Sequence, residues 1–250
     1  PFSRIDRFNN KTYPINSLSS DQSKAYNEII KSFSAKDVCL LHGVTSSGKT
    51  EIYIKLIEDQ IKEGKQVLYL LPEIALTIQI IKRLKKHFGS KVGVSHSNLN
   101  NSERVEVWKT IQNSDNAKCS IILGARSSIF LPFENLGLII IDEEHDTSYK
   151  QQQPSPRYHS RDAAIYLANL HKAKVLLGSA TPSIETYYNA QNGKYGFVEL
   201  LKRYADIKLP KINIIDISMA YKKKQMQSFL SNDLINEIQK NLDRNKQIIL

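Results

Sequence analysis

The sequence predicts an α/β fold, a mainly parallel, doubly wound sheet with helices on both faces. Three observations carry that prediction. Short apolar runs such as Val38–Leu41, Gln66–Leu71 and Leu138–Ile141 are nearly continuous, as expected of strands covered on both sides. These runs alternate with segments of helical spacing along most of the chain, the pattern of an α/β domain. One run turns through Gly43-Val44-Thr45-Ser46-Ser47-Gly48-Lys49-Thr50 into a helical pattern, the strand, loop and helix order of a phosphate-binding loop.

Residues 1–17 lack a clear period and read as an extended lead-in. Ser19 or Ser20 caps a first helix with Ala25, Tyr26, Ile29, Ile30 and Phe33 at helical spacing. Val38–Leu41 is a short buried strand, and Thr50 to about Glu63 is a helix ending at Gly64. Next come a strand at Gln66–Leu71, a helix from about Ile74 to Phe88, a strand at Lys91–Ser95 and a helix at Ser102–Gln112. Strands at Cys119–Leu123 and Leu138–Ile141 precede a loop. Ser160 then caps a helix through Leu170, Lys174–Leu177 is a strand, and Ser183 opens a short helix. From Tyr195–Leu201 through Ile212–Ile217 the chain reads as a connecting hairpin or linker. A helix from about Asp233 to Leu242, capped by Ser231, leads to Gln247–Leu250, which reads as a strand beginning.

The chain has 250 residues, 41% of them hydrophobic and 24% charged, which suits a globular protein with a substantial core. No apolar run reaches the ~20 residues of a membrane span, and Pro1–Phe8 has no secretory pattern. The absence of an initiator Met is expected of a piece of something longer. Cys39 and Cys119 each lie in an apolar strand pattern without C-x-x-C spacing; reduced core thiols in a cytoplasmic protein are expected, not a disulfide or metal site. A formal charge of +10 fits a polyanionic partner and fits a lysine-rich solubilising surface equally well.

Gly43 to Thr50 matches G-x-x-x-x-G-K-[ST]. In that pattern backbone amides close around phosphates, the lysine reaches the outer phosphates and the hydroxyl holds Mg2+. The helix that follows adds its free N–H groups and the positive end of its dipole. The second acidic element is Ile139-Ile140-Ile141-Asp142-Glu143-Glu144-His145. Alone, adjacent acids after a strand read as a solvated turn. Paired with the upstream loop, Asp142 becomes the residue that holds Mg2+ through water, and Glu143 the general base for an attacking water. His145 reads on spacing as a hydrogen-bonded loop histidine, and Gly178-Ser179-Ala180-Thr181-Pro182 as a strand-ending loop with small hydroxyls. Arg126 with Ser127 and Ser128 suits phosphate contact, or is a surface arginine at a strand end. Tyr149, Arg157, Tyr158 and His159 interleave aromatic faces with charge, which suits unpaired bases; a packed loop around Pro154 and Pro156 is the other reading. Lys222–Lys224 reads as a solvated run.

From Leu18 to Leu250 these stretches together resemble the superfamily 2 DNA helicases, and among them the replication-restart helicases. Leu18–Gln22 is similar to an adenine-reading Q element, with Gln22 its reader, and Gly43–Glu51 to the Walker A loop, whose nucleotide-binding residues are Gly43, Val44, Thr45, Ser46, Ser47, Gly48, Lys49 and Thr50. Leu70–Thr77 and Gly124–Phe130 resemble DNA-tracking elements, Asp142–Gln151 the acidic motif, Pro156–Asp162 an aromatic-rich loop and Gly178–Ser183 motif III. The resemblance implies a RecA-like P-loop NTPase lobe over residues 18–203 and a connection into a truncated second lobe over 204–250. It also implies Lys49, Asp142 and Glu143 as catalytic residues, and Arg126, Ser127, His145, Tyr149, Arg157, Tyr158, His159, Ser179 and Thr181 as residues for DNA binding or coupling. ATP and Mg2+ are the implied cofactors. The implied activity is a 3′-to-5′ DNA helicase of stalled forks. Its partners are forked or single-stranded DNA, primosome proteins and single-strand binding protein; it is a bacterial cytoplasmic monomer with no membrane.

This sequence departs from that pattern in places. Ser46 stands where glycine is expected, and the aromatic loop lacks tryptophan. An amino-terminal DNA-binding region, an arginine finger and a zinc module are implied for the family and are not found in these residues, so the piece alone is expected to hydrolyse ATP poorly. A RecQ-like or restriction-type translocase, or an ATP-gated DNA-binding scaffold with little turnover, are the alternatives.

Overall fold

A computed structural model of the chain describes residues 12–72, 78–96, 99–112, 119–203 and 212–249. It divides into two compact units, Pro1–Ile207 and Lys208–Leu250. The described strands of the first unit are β1 (Val38–Gly43), β2 (Gln66–Leu70), β3 (Val92–Ser95), β4 (Ile121–Gly124), β5 (Leu136–Asp142), β6 (Lys174–Ser179) and β7 (Gly196–Leu200). They form one sheet in the order β3-β4-β2-β5-β6-β1-β7, with every pairing parallel.

Apolar residues on both sides of each strand dictate this arrangement, because such strands need helices on two faces. On one face Cys39, Leu41, Val67, Tyr69, Leu138, Ile140 and Leu176 pack against α1 (Ser20–Phe33), α2 (Lys49–Lys62) and α3 (Ile78–Phe88). On the other face Val38, Leu40, Leu68, Leu70, Ile139, Ile141, Val175 and Leu177 pack against α4 (Asn101–Gln112), α5 (Ser160–His171) and α6 (Ile184–Gln191). Because every pairing is parallel, the loops at the carboxyl ends of the strands lie along one edge of the sheet.

The helix starts show which side chains do the capping. Ser19 caps α1 in a capping box, with Ser19 Oγ accepting from Gln22 N at 3.3 Å and Gln22 Oε1 accepting from Ser19 N at 2.9 Å. Ser183 and Ser231 cap their helices as the sequence suggests. At α5 the expected cap moves by one residue. His159 Nδ1 accepts from Arg161 N at 3.3 Å, while Ser160 is fully buried and donates through Oγ to Arg126 O at 2.8 Å. Ile30 departs from the expected core stripe and is exposed, because α1 turns Ala25 and Ile29 inward.

Tyr195–Leu201 is not part of a hairpin. Its central residues are β7, which extends the sheet as a parallel neighbour of β1, and a burial pattern alternating inward at Gly196, Val198 and Leu200 hid that partner in the sequence. Residues 73–77, the start of the expected Ile74–Phe88 helix and part of one tracking element, lie outside the described residues. Cys39 is buried and Cys119 partly so; both are free thiols that burial pushes up to about 11. No helix among the described residues is long and apolar enough to cross a membrane.

In the second unit α7 (Ile217–Lys222), a short antiparallel hairpin of β8 (Met226–Gln227) and β9 (Leu230–Ser231), and α8 (Asn232–Asp243) follow one another. Residues 212–216 are without regular structure, and so are 246–249, where the sequence suggests a strand; Leu250 lies outside the described residues.

Candidate active site

The phosphate loop leaves β1, the acidic turn ends β5, and Gly178-Ser179 ends β6, which pairs with both β1 and β5. Three stretches far apart in sequence are therefore neighbours at one edge of the sheet. A cleft of about 670 Å³ opens there, lined by the segment Asn16–Ser19, Gln22, Val44–Glu51, Arg83, Asp142 and Glu143.

Backbone geometry builds the loop. Gly48 has φ +86° and Ser46 φ +62°, so Ser46 occupies the left-handed region that glycine tolerates best, at a cost of about 1–2 kcal/mol. A Cβ on Gly48 would fall 2.2 Å from Gln22 Nε2. Gln22 is itself buried, completes the α1 cap and lies 3.5 Å from Gly48 O, a long contact that braces the loop from below. Lys49 is buried and donates through Nζ to Gly43 O at 2.7 Å. The Ser47 hydroxyl is buried with no hydrogen-bond partner among the described residues. A buried orphan hydroxyl beside free helix amides and an ammonium group is a donor set that phosphate oxygens satisfy.

Backbone bonds from Glu144 N to Gly178 O at 3.1 Å and from Asp146 N to Glu143 O at 2.8 Å close the acidic turn, and side chains from other elements fix its carboxylates. The Asp142 carboxylate accepts from Tyr53 Oη at 3.0 Å, Tyr69 Oη at 3.2 Å and Glu143 N at 3.2 Å. Burial, and then the charge of Glu143, raise the Asp142 pKa above its ordinary value, against the hydrogen bond from Tyr53 and the charge of Lys49. A side chain on Gly178 would run into the Tyr53 hydroxyl at 1.8 Å, so the absence of one there is what admits that tyrosine. Glu143 sits at φ +48°, a left-handed residue of the kind that concentrates at functional sites. Its Oε2 lies 3.7 Å from His145 Nδ1. His145 Nδ1 is 2.7 Å from Ser179 Oγ, His145 Nε2 is 3.4 Å from Thr181 Oγ1, and Thr181 N donates to Ser179 Oγ at 3.0 Å. The loop histidine thus joins the acidic turn to the end of β6, which spacing alone does not reveal.

The aromatic loop differs most from its sequence reading. Tyr149 is fully buried and donates its hydroxyl to Asp142 O at 2.7 Å, so its ring is packed beneath the acidic turn and cannot stack on a base. The Arg126 guanidinium donates to Ser148 O at 3.1 Å and Lys150 O at 3.2 Å; it braces this loop from the 3-10 turn Arg126–Phe130 after β4, and Ser127 beside it is exposed. Arg157 is exposed, and Tyr158 meets Phe130 edge to face with centroids 5.0 Å apart. Burial, and then the Arg161 charge, lower the pKa of His159. Residues that the sequence reading passed over also line or support the site: Arg83 pairs with Glu51 at the cleft wall, and Tyr53 and Tyr69 hold Asp142. A tyrosine at helix or strand spacing looks like core, so no local signal marks the last two.

The DEAD/DEAH box helicase family matches residues 19–190, and the chain belongs to that family, whose members in general use ATP with Mg2+. Among individual proteins, the chain is 45% identical over 241 residues to the replication restart protein PriA of Rickettsia felis, covering 96% of this chain and 36% of that protein. It is 40% identical over 247 residues to PriA of Bacillus subtilis, covering 98% of this chain and 30% of that one. The chain thus spans about a third of the length of these curated relatives. Among solved structures, RecG bound to a three-way DNA junction aligns with a TM-score of 0.56 at 21% identity, over 78% of this chain and 25% of that one. The helicase MrfA bound to DNA aligns with a TM-score of 0.54 at 19% identity, over 74% of this chain and 27% of that one. Both likenesses establish the RecA-like helicase fold.

Proposed function

We propose that residues 18–203 form the first, ATP-binding motor lobe of a replication-restart DNA helicase of the PriA type, and that residues 204–250 lead into its second lobe. The observation that carries this reading is the convergence of Lys49, Thr50, Asp142 and Glu143 on one cleft. The 40–45% identity to PriA relatives supports the particular branch.

In this reading Val44 to Thr50 cradle the phosphates of ATP and Lys49 exchanges its contact with Gly43 O for a phosphate oxygen. Thr50 and Asp142, the latter through water, are the residues that hold Mg2+, which supplies charge neutralisation for the phosphates. Glu143 orients a water and accepts its proton as the oxygen bonds to the γ-phosphorus and the bond to ADP breaks. Gln22 acts on the loop it braces as well as on the adenine. His145, Ser179 and Thr181 carry the state of that site along the strand edge, and Arg126, Ser127, Arg157, Tyr158, His159 and, from below, Tyr149 shape the surface for single-stranded or forked DNA. The whole protein translocates 3′ to 5′ as a cytoplasmic monomer and works with primosome proteins and single-strand binding protein.

ATP turnover of the full-length protein, measured with and without forked DNA, tests the reading. Forked DNA is expected to raise turnover, and Lys49→Ala or Glu143→Gln to reduce it by at least about 10²-fold. Unchanged turnover in both variants would sink the site assignment. No response to DNA would leave an ATP-gated scaffold.

A further inference from the structure

Glu144 follows the proposed base in sequence but turns the other way, into the protein. It is 1% exposed. Its Oε1 accepts from Ser183 N at 2.7 Å, and its Oε2 accepts from Arg161 Nη1 at 3.1 Å and Thr186 Oγ1 at 2.9 Å. Its own backbone N donates to Gly178 O at 3.1 Å. Arg161, with a side chain only 12% exposed, also donates to Ser183 Oγ at 2.7 Å and Thr186 Oγ1 at 3.2 Å. One buried ion pair therefore ties the acidic turn to the first turn of α5 and to the start of α6. A buried charge with this many partners is fixed in place, since losing any of them strands a charge in the interior.

We infer that Glu144 and Arg161 are positioning residues that hold Glu143 in its left-handed conformation over the cleft. Glu143 has φ +48° and is gripped on both sides. Asp142 is fixed by the hydroxyls of Tyr53, Tyr69 and Tyr149, and Glu144 by Arg161, Ser183 and Thr186. Strained backbone persists where its surroundings over-determine it. Neither Glu144 nor Arg161 lines the cleft, so nucleotide binding does not depend on them directly. This inference rests on the reading of Glu143 as the base.

The test uses the full-length protein with Glu144→Gln, Arg161→Lys, Arg161→Met and the double variant Glu144→Leu/Arg161→Met. Turnover, affinity for a fluorescent ATP analogue and the melting midpoint are measured for each. Expected is a fall in kcat of about 10²-fold in Arg161→Met, with a smaller fall in Glu144→Gln and Arg161→Lys and unchanged affinity for the analogue. The double variant replaces the pair by apolar volume and is expected to regain the melting midpoint while kcat stays low. If kcat recovers together with the melting midpoint, the pair is merely structural and the inference is overturned; retained kcat in Arg161→Met overturns it as well. Glu143→Gln measured in parallel separates the two readings. Loss of turnover there with normal kcat in the pair variants removes this inference alone, whereas normal turnover in Glu143→Gln removes the base assignment itself.

Discussion

The phosphate loop after β1 and the acidic turn after β5 flank the end of β6 in one sheet and face the same cleft, yet they are built differently. From Gly43 to Thr50 the shape comes from the backbone: left-handed positions at Ser46 and Gly48, then free amides at the start of α2. Its polar side chains are undercommitted, with Ser47 Oγ partnerless and Lys49 on a neighbouring carbonyl. From Asp142 to His145 two backbone bonds are joined by side chains of other elements, including tyrosines from α2, β2 and the 147–149 turn and an arginine from α5. A loop kept by its own backbone can leave its polar groups free for a ligand. A turn kept by tertiary hydrogen bonds places one carboxylate accurately but depends on remote residues.

Substitutions that separate packing from chemistry sharpen this contrast. The largest stability effect is expected at Tyr149, which is buried and bonded to Asp142 O. Tyr149→Ala should cost about 3–5 kcal/mol in urea unfolding, whereas Tyr158→Ala, at a half-buried ring, should cost under about 1.5 kcal/mol and act on DNA affinity instead. Equal losses would erase the distinction between a core tyrosine and a surface one. Ser46→Gly should move stability far less. Relief of the left-handed strain outweighs the added chain entropy of glycine by about 0.5 kcal/mol, so a loss of more than that in the same assay would show that the Ser46 side chain supports the loop.

The smallest expected effect is local and depends on pH. His159 caps α5 as a neutral acceptor, and burial together with Arg161 holds its pKa below the ordinary 6.5. A base with a depressed folded pKa contributes stability that is complete above its unfolded value and lost as pH falls through the folded one. Amide exchange in the first turn of α5 should therefore accelerate below about pH 6.5. His159→Asn, which retains an acceptor without a charge, should abolish that acceleration; persistence in the variant would place its origin elsewhere.

Periodicity and motif spacing made the α/β class, the order of strands and helices and the phosphate loop legible, since each depends on residues close in sequence. The edge strand β7 was missed because its half-alternating pattern gains meaning only beside β1. The cap of α5 shifted to His159 because Ser160 is drawn into the interior by Arg126 O. Tyr149 reads like a base-stacking ring because its neighbours Arg157 and Tyr158 are charged and aromatic, and nothing within that segment reports that Tyr149 is fully buried while Tyr158 is only partly so. Arg126 looked like a phosphate contact for the same reason, while its guanidinium is engaged by two carbonyls of a loop more than twenty residues away.

By itself, then, the sequence determined what local geometry can encode: the glycine and hydroxyl pattern of the phosphate loop, the two-faced apolar strands and the acids at the end of β5. Tertiary structure alone decided the environment of those acids. Three tyrosines surround Asp142, Glu143 is held left-handed between two anchored neighbours, and Glu144 is buried against Arg161. The physical reason is that backbone conformation is set by a few adjacent residues, whereas burial and side-chain hydrogen bonds depend on which distant segments the sheet brings together.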